Sequence, residues 1–239
     1  MSAPPEALLV ADSIGKRFGE HKVLSAATLA AHRGVVTALV GRNGSGKSTL
    51  LRIMSGLMAP DYGILRVRGR VYTRTRLSRM AREGLFLLPA DRCTLSRTLT
   101  LRQHLDTMRR RFALPAADEV VEELKIAHLL DRYVGTYSGG ERRRAELALA
   151  LARAPEVLLA DEPFLGITPA DTELFIDAFR ALARRGTAVV LTGHEVPFIL
   201  AVADRVTWIT AGTTRPLGDP EAARRDFQFR RDYLGTGAA

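Results

Sequence analysis

A glycine-rich turn, Gly41-Arg42-Asn43-Gly44-Ser45-Gly46-Lys47-Ser48-Thr49, constrains this chain of 239 residues more than any other stretch. It fits the pattern G-x-x-x-x-G-K-[ST] and follows Val35 to Val40, a short apolar run with the character of a buried strand. Lys47 to Met54 then reads as a helix. In such a strand–turn–helix unit the glycines let the backbone turn tightly, so that several N–H groups converge on the phosphates of a nucleotide. Lys47 adds a point charge for the β- and γ-phosphates, the Ser48 hydroxyl is placed to ligate Mg²⁺, and the positive end of the helix faces the same anion. A nucleoside triphosphate is the expected ligand, with Mg²⁺ as the metal that accompanies it.

The rest of the chain alternates between strand-like and helix-like runs. Leu8 to Val10, Leu85 to Leu88, Val157 to Ala160, Ala188 to Leu191 and Val206 to Ile209 read as strands, several of them continuously apolar, as expected where helices cover both faces. After Pro169, the residues Leu174, Phe175, Ala178, Phe179 and Leu182 make one apolar helix face that ends at Gly186. An α/β fold with a largely parallel sheet follows. The stretch from about Asp91 to Tyr137 differs: helical patterns at Leu101 to Arg110 and Glu119 to Leu130 flank Pro115, and no convincing strand is present. It reads as a helical subdomain at about 90–139, inserted into a core of 1–89 and 140–239.

The net charge of +9 comes almost wholly from arginine, because lysine occurs only at positions 16, 22, 47 and 125. Solvated arginine faces account for it more simply than nucleic acid does, since neither Arg109-Arg110-Arg111 nor Arg142-Arg143-Arg144 is interleaved with aromatics. Arg66, Arg68 and Arg70 are expected to alternate along one strand face. The single cysteine, Cys93, cannot form an internal disulfide, which fits a reducing compartment. Met1 to Pro5 lacks the basic and apolar regions of a signal peptide, and no apolar run approaches the ~18 residues of a membrane span.

Two further segments carry chemistry. Asp161-Glu162-Pro163 closes an apolar strand, which puts two carboxylates at the ligand-binding edge of an open sheet. Their expected division of labour is Asp161 toward Mg²⁺ through water and Glu162 toward the attacking water. Ser138-Gly139-Gly140-Glu141 precedes a long helix-forming run, where paired glycines are costly to order and suit close approach to a second anion.

Taken in this order and spacing, the phosphate loop, the Ser-Gly-Gly-Glu segment and the Asp161-Glu162 strand end resemble the ATP-binding-cassette (ABC) transporter ATPases over nearly the whole chain. The text Ser138 to Arg144, Asp161 to Phe164 and Tyr233-Leu234-Gly235 is similar to the branch serving lipopolysaccharide export and branched-chain amino acid uptake. The resemblance implies a P-loop core, an antiparallel β lobe near the N-terminus and an ATPase driving transport. It implies that Phe18 stacks on adenine and that His194 contacts the γ-phosphate. It also implies a second copy or a paralogous cassette packed head to tail, so that Ser138, Gly139 and Gly140 close on the ATP held by the other subunit's Lys47. The partner would be an integral membrane permease docked beside the helical subdomain, with the chain peripheral at the cytoplasmic face of the membrane.

Two positions depart from the family pattern. Ala90 stands where a glutamine is usual, which leaves Asp91 as a tentative Mg²⁺ ligand by adjacency. Thr168 stands where an aspartate precedes proline. These departures keep open a weakly hydrolysing, ATP-dependent dimerisation switch. A soluble cassette acting on nucleic acid or ribosomes is the remaining alternative.

Overall fold

The computed structural model describes residues 5–114 and 118–234, so Met1 to Pro4, Pro115 and Gly235 lie outside the described residues. Along the chain run β1 (Ala7–Phe18), β2 (His21–His32), β3 (Val36–Val40), α1 (Lys47–Met54), β4 (Tyr62–Val67), β5 (Arg70–Tyr72), α2 (Leu77–Arg82) and β6 (Leu85–Leu88). Then come α3 (Leu101–Phe112), α4 (Asp118–Glu123), α5 (Gly139–Arg153), β7 (Val157–Ala160), α6 (Pro169–Arg184), β8 (Ala188–Gly193), α7 (Val196–Val202), β9 (Arg205–Thr210), β10 (Thr213–Gly218) and α8 (Pro220–Arg225).

The described strands lie in the order β5-β4-β1-β2-β10-β9-β3-β8-β7-β6. One half is parallel: β3 pairs with β8 and β9, and β7 with β6 and β8. The other half is antiparallel, built on the β1–β2 hairpin with β4 and β5 at its edge. Every residue of β3, β7 and β8 is buried. Their side chains alternate between two cores: Val36, Ala38, Val40, Leu158 and Ala160 point to one, Leu39, Val157 and Leu159 to the other. That two-sided burial is why these strands read as unbroken apolar runs rather than alternating ones.

The antiparallel lobe is larger than its local sequence suggests. β1 runs on from Val10 to Phe18, turns through Gly19-Glu20 and returns as β2, whose alanines hide the alternation. Gly19 has φ 58°, the conformation a two-residue hairpin with glycine first requires. The expected single strand carrying Arg66, Arg68 and Arg70 is corrected to a hairpin. Arg68 (φ 46°) and Gly69 (φ 79°) form the turn between β4 and β5, with Val67 opposite Arg70. Asn-Gly is the usual sequence there, and arginine hides the signal.

A capping box starts α3: Thr100 Oγ1 accepts from the Gln103 N–H at 3.2 Å, and the Gln103 side chain accepts from the Thr100 N–H at 2.9 Å. The second expected helix, Glu119 to Leu130, is also corrected. It ends at Glu123, the chain passes through Lys125 with φ 54°, and only a short 3₁₀ turn follows at Ala127–Leu129. The apolar spacing belongs to that compact turn, which buries Leu124, Ile126 and Leu129 as a helix would. α6 follows the sequence closely. Thr168 caps it, Pro169 opens it, Phe175, Ala178, Phe179 and Leu182 are buried, and Gly186 (φ 94°) follows its end.

Candidate nucleotide-hydrolysis site

Strand β3 runs straight into the phosphate loop, and the loop's glycines have distinct reasons. A Cβ on Gly41 would lie 2.5 Å from the Ile209 carbonyl oxygen, so only glycine lets the loop leave the sheet there. Gly46 caps α1 at φ 103°, and a Cβ there would meet Leu24 Cδ2 at 2.6 Å. Because Gly46 has no side chain, no side-chain cap engages the first turn of α1, and its N–H groups face the cleft.

That cleft, about 470 Å³ in volume, is lined by His21, Val23, Asn43, Gly44, Gly46, Lys47, Ser48, Thr49 and Glu162. Ser45 lines an adjoining cavity with Asn43 and Gly44. Lys47 is buried, and its Nζ donates to the carbonyls of Gly41 (2.8 Å) and Arg42 (3.2 Å). Burial holds the ammonium below its ordinary value, while Glu162 and Asp161 pull it back up. A phosphate anion would restore what desolvation removes.

Asp161 and Glu162 leave β7 on the same edge but in different environments. Asp161 is 3% exposed, and its Oδ1 accepts from Ser48 Oγ (3.0 Å) and Thr192 Oγ1 (2.6 Å). Thr192 Oγ1 also accepts from the Glu162 N–H at 3.0 Å, so one hydroxyl ties the Asp161 carboxylate to the backbone of Glu162. Glu162 sits at φ 45°, a left-handed conformation that costs a non-glycine residue about 1–3 kcal/mol. Such strain persists only where the surroundings over-determine it. Here the His194 ring, with Nδ1 3.2 Å from Glu162 Oε2, fixes the side chain that the strained backbone aims into the cleft.

The donor set fits Mg²⁺. Ser48 Oγ and Asp161 are hard oxygen groups in contact, and no cluster of three or more His, Cys, Asp or Glu residues forms an all-protein cage among the described residues. Mg²⁺ is held in that way, by one or two protein oxygens together with phosphate and water. Asp91 stands apart: its Oδ2 accepts from Arg52 Nη2 at 2.6 Å, so its carboxylate is engaged by α1's guanidinium.

The other expected residues are divided between two places. Phe18 is 48% exposed at the end of β1, with Lys16 Nζ 5.8 Å from its ring; its strand partner His21 lines the cleft and Phe18 does not. Ser138, Gly139 and Gly140 are not in their own chain's cleft. They begin α5, where Ser138 Oγ accepts from the Glu141 N–H (3.2 Å) and Glu141 accepts from the Ser138 N–H (2.7 Å). Gly139 has nothing within 4 Å of the position a Cβ would take. Sequence reasoning missed Thr192, Arg143 and Glu146. The available signals were a threonine closing an apolar strand and a lone acid within the buried run Ala145 to Leu151.

Comparison with known proteins decides the family. The ABC transporter family matches residues 24–165. The chain belongs to the ABC transporter family. It is 33% identical to the lipopolysaccharide export system ATP-binding protein LptB of Haemophilus influenzae, over 95% of this chain and 97% of that one. It is 36% identical to the daunorubicin resistance ATP-binding protein DrrA3 of Streptomyces coeruleorubidus, over 85% of this chain and 66% of that one. In fold it is similar to the ADP conformation of an ATP-binding cassette of an ABC transporter, with TM-score 0.82, 24% identity, and 96% and 99% of the two chains covered. This ABC protein is an ATP-binding subunit and an ATPase. No helix among its described residues is long and apolar enough to cross a membrane.

Proposed function

We propose that two copies of this chain, or one copy and a paralogous cassette, close head to tail around two Mg-ATP and drive a separate integral membrane permease from its cytoplasmic face. The observation that carries this reading is the separation of the two phosphate-binding elements. Lys47, Ser48, Asp161, Glu162 and His194 meet on one edge, whereas Ser138, Gly139 and Gly140 do not line the cleft that holds Lys47 and Ser48, and Gly139 borders a separate groove with Glu162. Two adjacent glycines in a helix's first turn lower its stability, and no neighbour within the chain crowds Gly139. A surface from outside the chain that must approach closely supplies the reason.

On this reading the loop amides and Lys47 hold the phosphates, Phe18 offers its exposed ring to adenine, and Ser48 with Asp161 would hold Mg²⁺. Bound there, Mg²⁺ supplies neutralisation of the phosphate charge. Glu162 accepts the proton of the attacking water, and His194 keeps that carboxylate aimed. Asp91, engaged by Arg52, is left out of the metal set. The arginine excess gives little support to nucleic acid as a partner, because Arg66, Arg68, Arg102, Arg143 and Arg144 meet the chain's own carboxylates. The cargo belongs to the permease, and the relatives' names already range from lipopolysaccharide export to daunorubicin resistance.

A slow, ATP-dependent dimerisation switch is the second reading, favoured by one observation. Ala90 brings no polar group to the site, and Asp91 beside it is paired elsewhere. Steady-state turnover and the ATP-dependent dimer, measured on the wild-type chain and on Glu162→Gln, test both. Coupled hydrolysis predicts fast turnover for the wild type and a trapped dimer for the variant. Equal, negligible turnover in the two would favour the switch, and absence of any ATP-dependent dimer would exclude both.

A further inference from the structure

Arg143, the fifth residue of α5, makes more contacts with the catalytic edge than any mechanism above requires. Nη2 donates to the Asp161 and Glu162 carbonyls, each at 3.2 Å, and Nε lies 3.5 Å from the Pro163 carbonyl. Nη1 donates to the Pro89 carbonyl at 2.9 Å and to Glu146 Oε2 at 3.2 Å. The side chain is 11% exposed and that of Glu146 5%. Glu146 uses its other oxygen, Oε1, to accept from the Thr94 N–H (2.7 Å) and Thr94 Oγ1 (3.1 Å). An unbroken hydrogen-bonded path therefore runs from Thr94 through Glu146 and Arg143 to the backbone of Glu162.

The path begins in the loop after β6 and ends on the peptide whose left-handed φ aims the catalytic carboxylate. Glu162 at one end, Glu146 and Arg143 along the way, and Ala90 and Cys93 of the loop that carries Thr94 line one groove of about 340 Å³. Ala90 has no polar side chain, so the loop's connection to the reacting edge passes through Pro89's carbonyl and Thr94. A guanidinium is well suited to such bridging. Its donors are fixed in one plane and it cannot lose its charge, whereas a lysine reaches fewer acceptors at a time.

We propose that Arg143, braced by Glu146, is a positioning residue that holds Glu162 in register and links its orientation to the Pro89–Thr94 loop. The proposal rests on the ATPase reading above and adds the residue through which that loop acts on the base. Arg143 touches no reacting atom; its effect passes through Glu162.

The test uses the full chain with Mg-ATP and starts with wild-type turnover, whose absence would overturn the ATPase reading itself. Given wild-type activity, Arg143→Gln should lower kcat by about 10- to 100-fold, the range expected when a reacting group shifts by up to about 1 Å. KM for ATP should stay within about twofold, because no phosphate contact is lost. In a Glu162→Gln background, adding Arg143→Gln should change the single-turnover rate by less than about twofold, since both changes act through one carboxylate. ATP-dependent dimerisation of that double variant should match that of Glu162→Gln. Wild-type kcat in Arg143→Gln, or losses that multiply in the double variant, would overturn the proposal. If Arg143→Gln fails to fold, Arg143→Lys carries the same readings: lowered kcat at unchanged KM supports it, and wild-type kcat ends it.

Discussion

The end of the parallel core and the start of α5, both assigned to the nucleotide in the proposed reading, are built in opposite ways. At the core edge the charged side chains are engaged inside the chain. Lys47 is bonded to two carbonyls, Asp161 accepts from two hydroxyls, and Glu162 is held by Thr192 and His194. At α5 the capping serine and its glycines stand open, with Ser138 and Gly139 exposed. A preorganised site costs no reorganisation when charge develops. A capped helix start with exposed small residues instead leaves room for close approach from outside, which the proposed reading assigns to a second chain. On the proposed reading, half of the catalytic apparatus is finished within one chain and the other half is completed by a second.

The sharpest break in this comparison is at Glu162. Glu162→Gln keeps the shape and removes the base, so turnover should fall by roughly 10²–10⁴-fold, while ATP binding persists. Loss of ATP binding in step with turnover would mean that the carboxylate holds the nucleotide rather than the water. Thr192 comes next in size. Thr192→Val removes the hydroxyl that bonds both Asp161 Oδ1 and the Glu162 N–H. A hydrogen bond to a charged buried group contributes about 1.5–3 kcal/mol, so thermal or urea unfolding should show a loss of that order, with turnover reduced as well. An unchanged melting temperature would show the carboxylate to be satisfied without it.

The finished half was legible in the sequence because its elements are local. A glycine pattern between a strand and a helix, or two acids closing an apolar strand, occupies a short run of consecutive positions. Thr192, Arg143 and Glu146 were not legible, because their roles exist only once β8, α5 and the loop after β6 are packed together. Arg143 was one of three consecutive arginines, and only packing separates it from Arg142 and Arg144. In the fold, the buried parallel strands declared themselves by continuous apolar residues. β2 did not, since Ala26, Ala27, Ala30 and Ala31 serve both faces and erase the alternation. The end of α4 was misplaced because a 3₁₀ turn can keep a helix's apolar spacing.

The open half makes an unusual demand that a single methyl group can test. Gly139 occupies the first helical position of α5 with a helical, not left-handed, backbone, and nothing in the chain occupies the space of a Cβ. Gly139→Ala should therefore stabilise the isolated chain by up to about 1 kcal/mol. If a partner's nucleotide must approach this backbone, the same methyl should lower turnover by about tenfold, equivalent to ~1.4 kcal/mol. A more stable chain with reduced activity fits a surface shaped for an outside ligand. A more stable chain with undiminished activity would remove the reason offered for the glycine.

The smallest effect expected lies at the C-terminal segment, which belongs to the finished half. Asp226 Oδ1 accepts from Arg215 Nη2 at 2.6 Å and from the Phe229 N–H at 2.8 Å. Phe229 in turn packs against Trp208 and Tyr233, and the Asp232 carbonyl accepts from Arg42 of the phosphate loop. The Arg215 hydrogen bond first, and the Phe229 N–H second, hold the Asp226 carboxyl below its ordinary value of 3.8. A carboxylate with a depressed folded value binds fewer protons folded than unfolded, so its stabilisation is complete above 3.8 and fades as pH falls through the lower folded value. Because the pair is partly exposed, its worth is under about 1 kcal/mol. Asp226→Asn should then melt slightly below the wild type at about pH 7, and the gap should close only as the pH drops below the ordinary carboxylate range. A carboxyl NMR titration placing Asp226 at or above its ordinary value, or a melting gap that ignores pH, would detach this segment from the rigid half and leave Arg42's tie to Asp232 without an anchor.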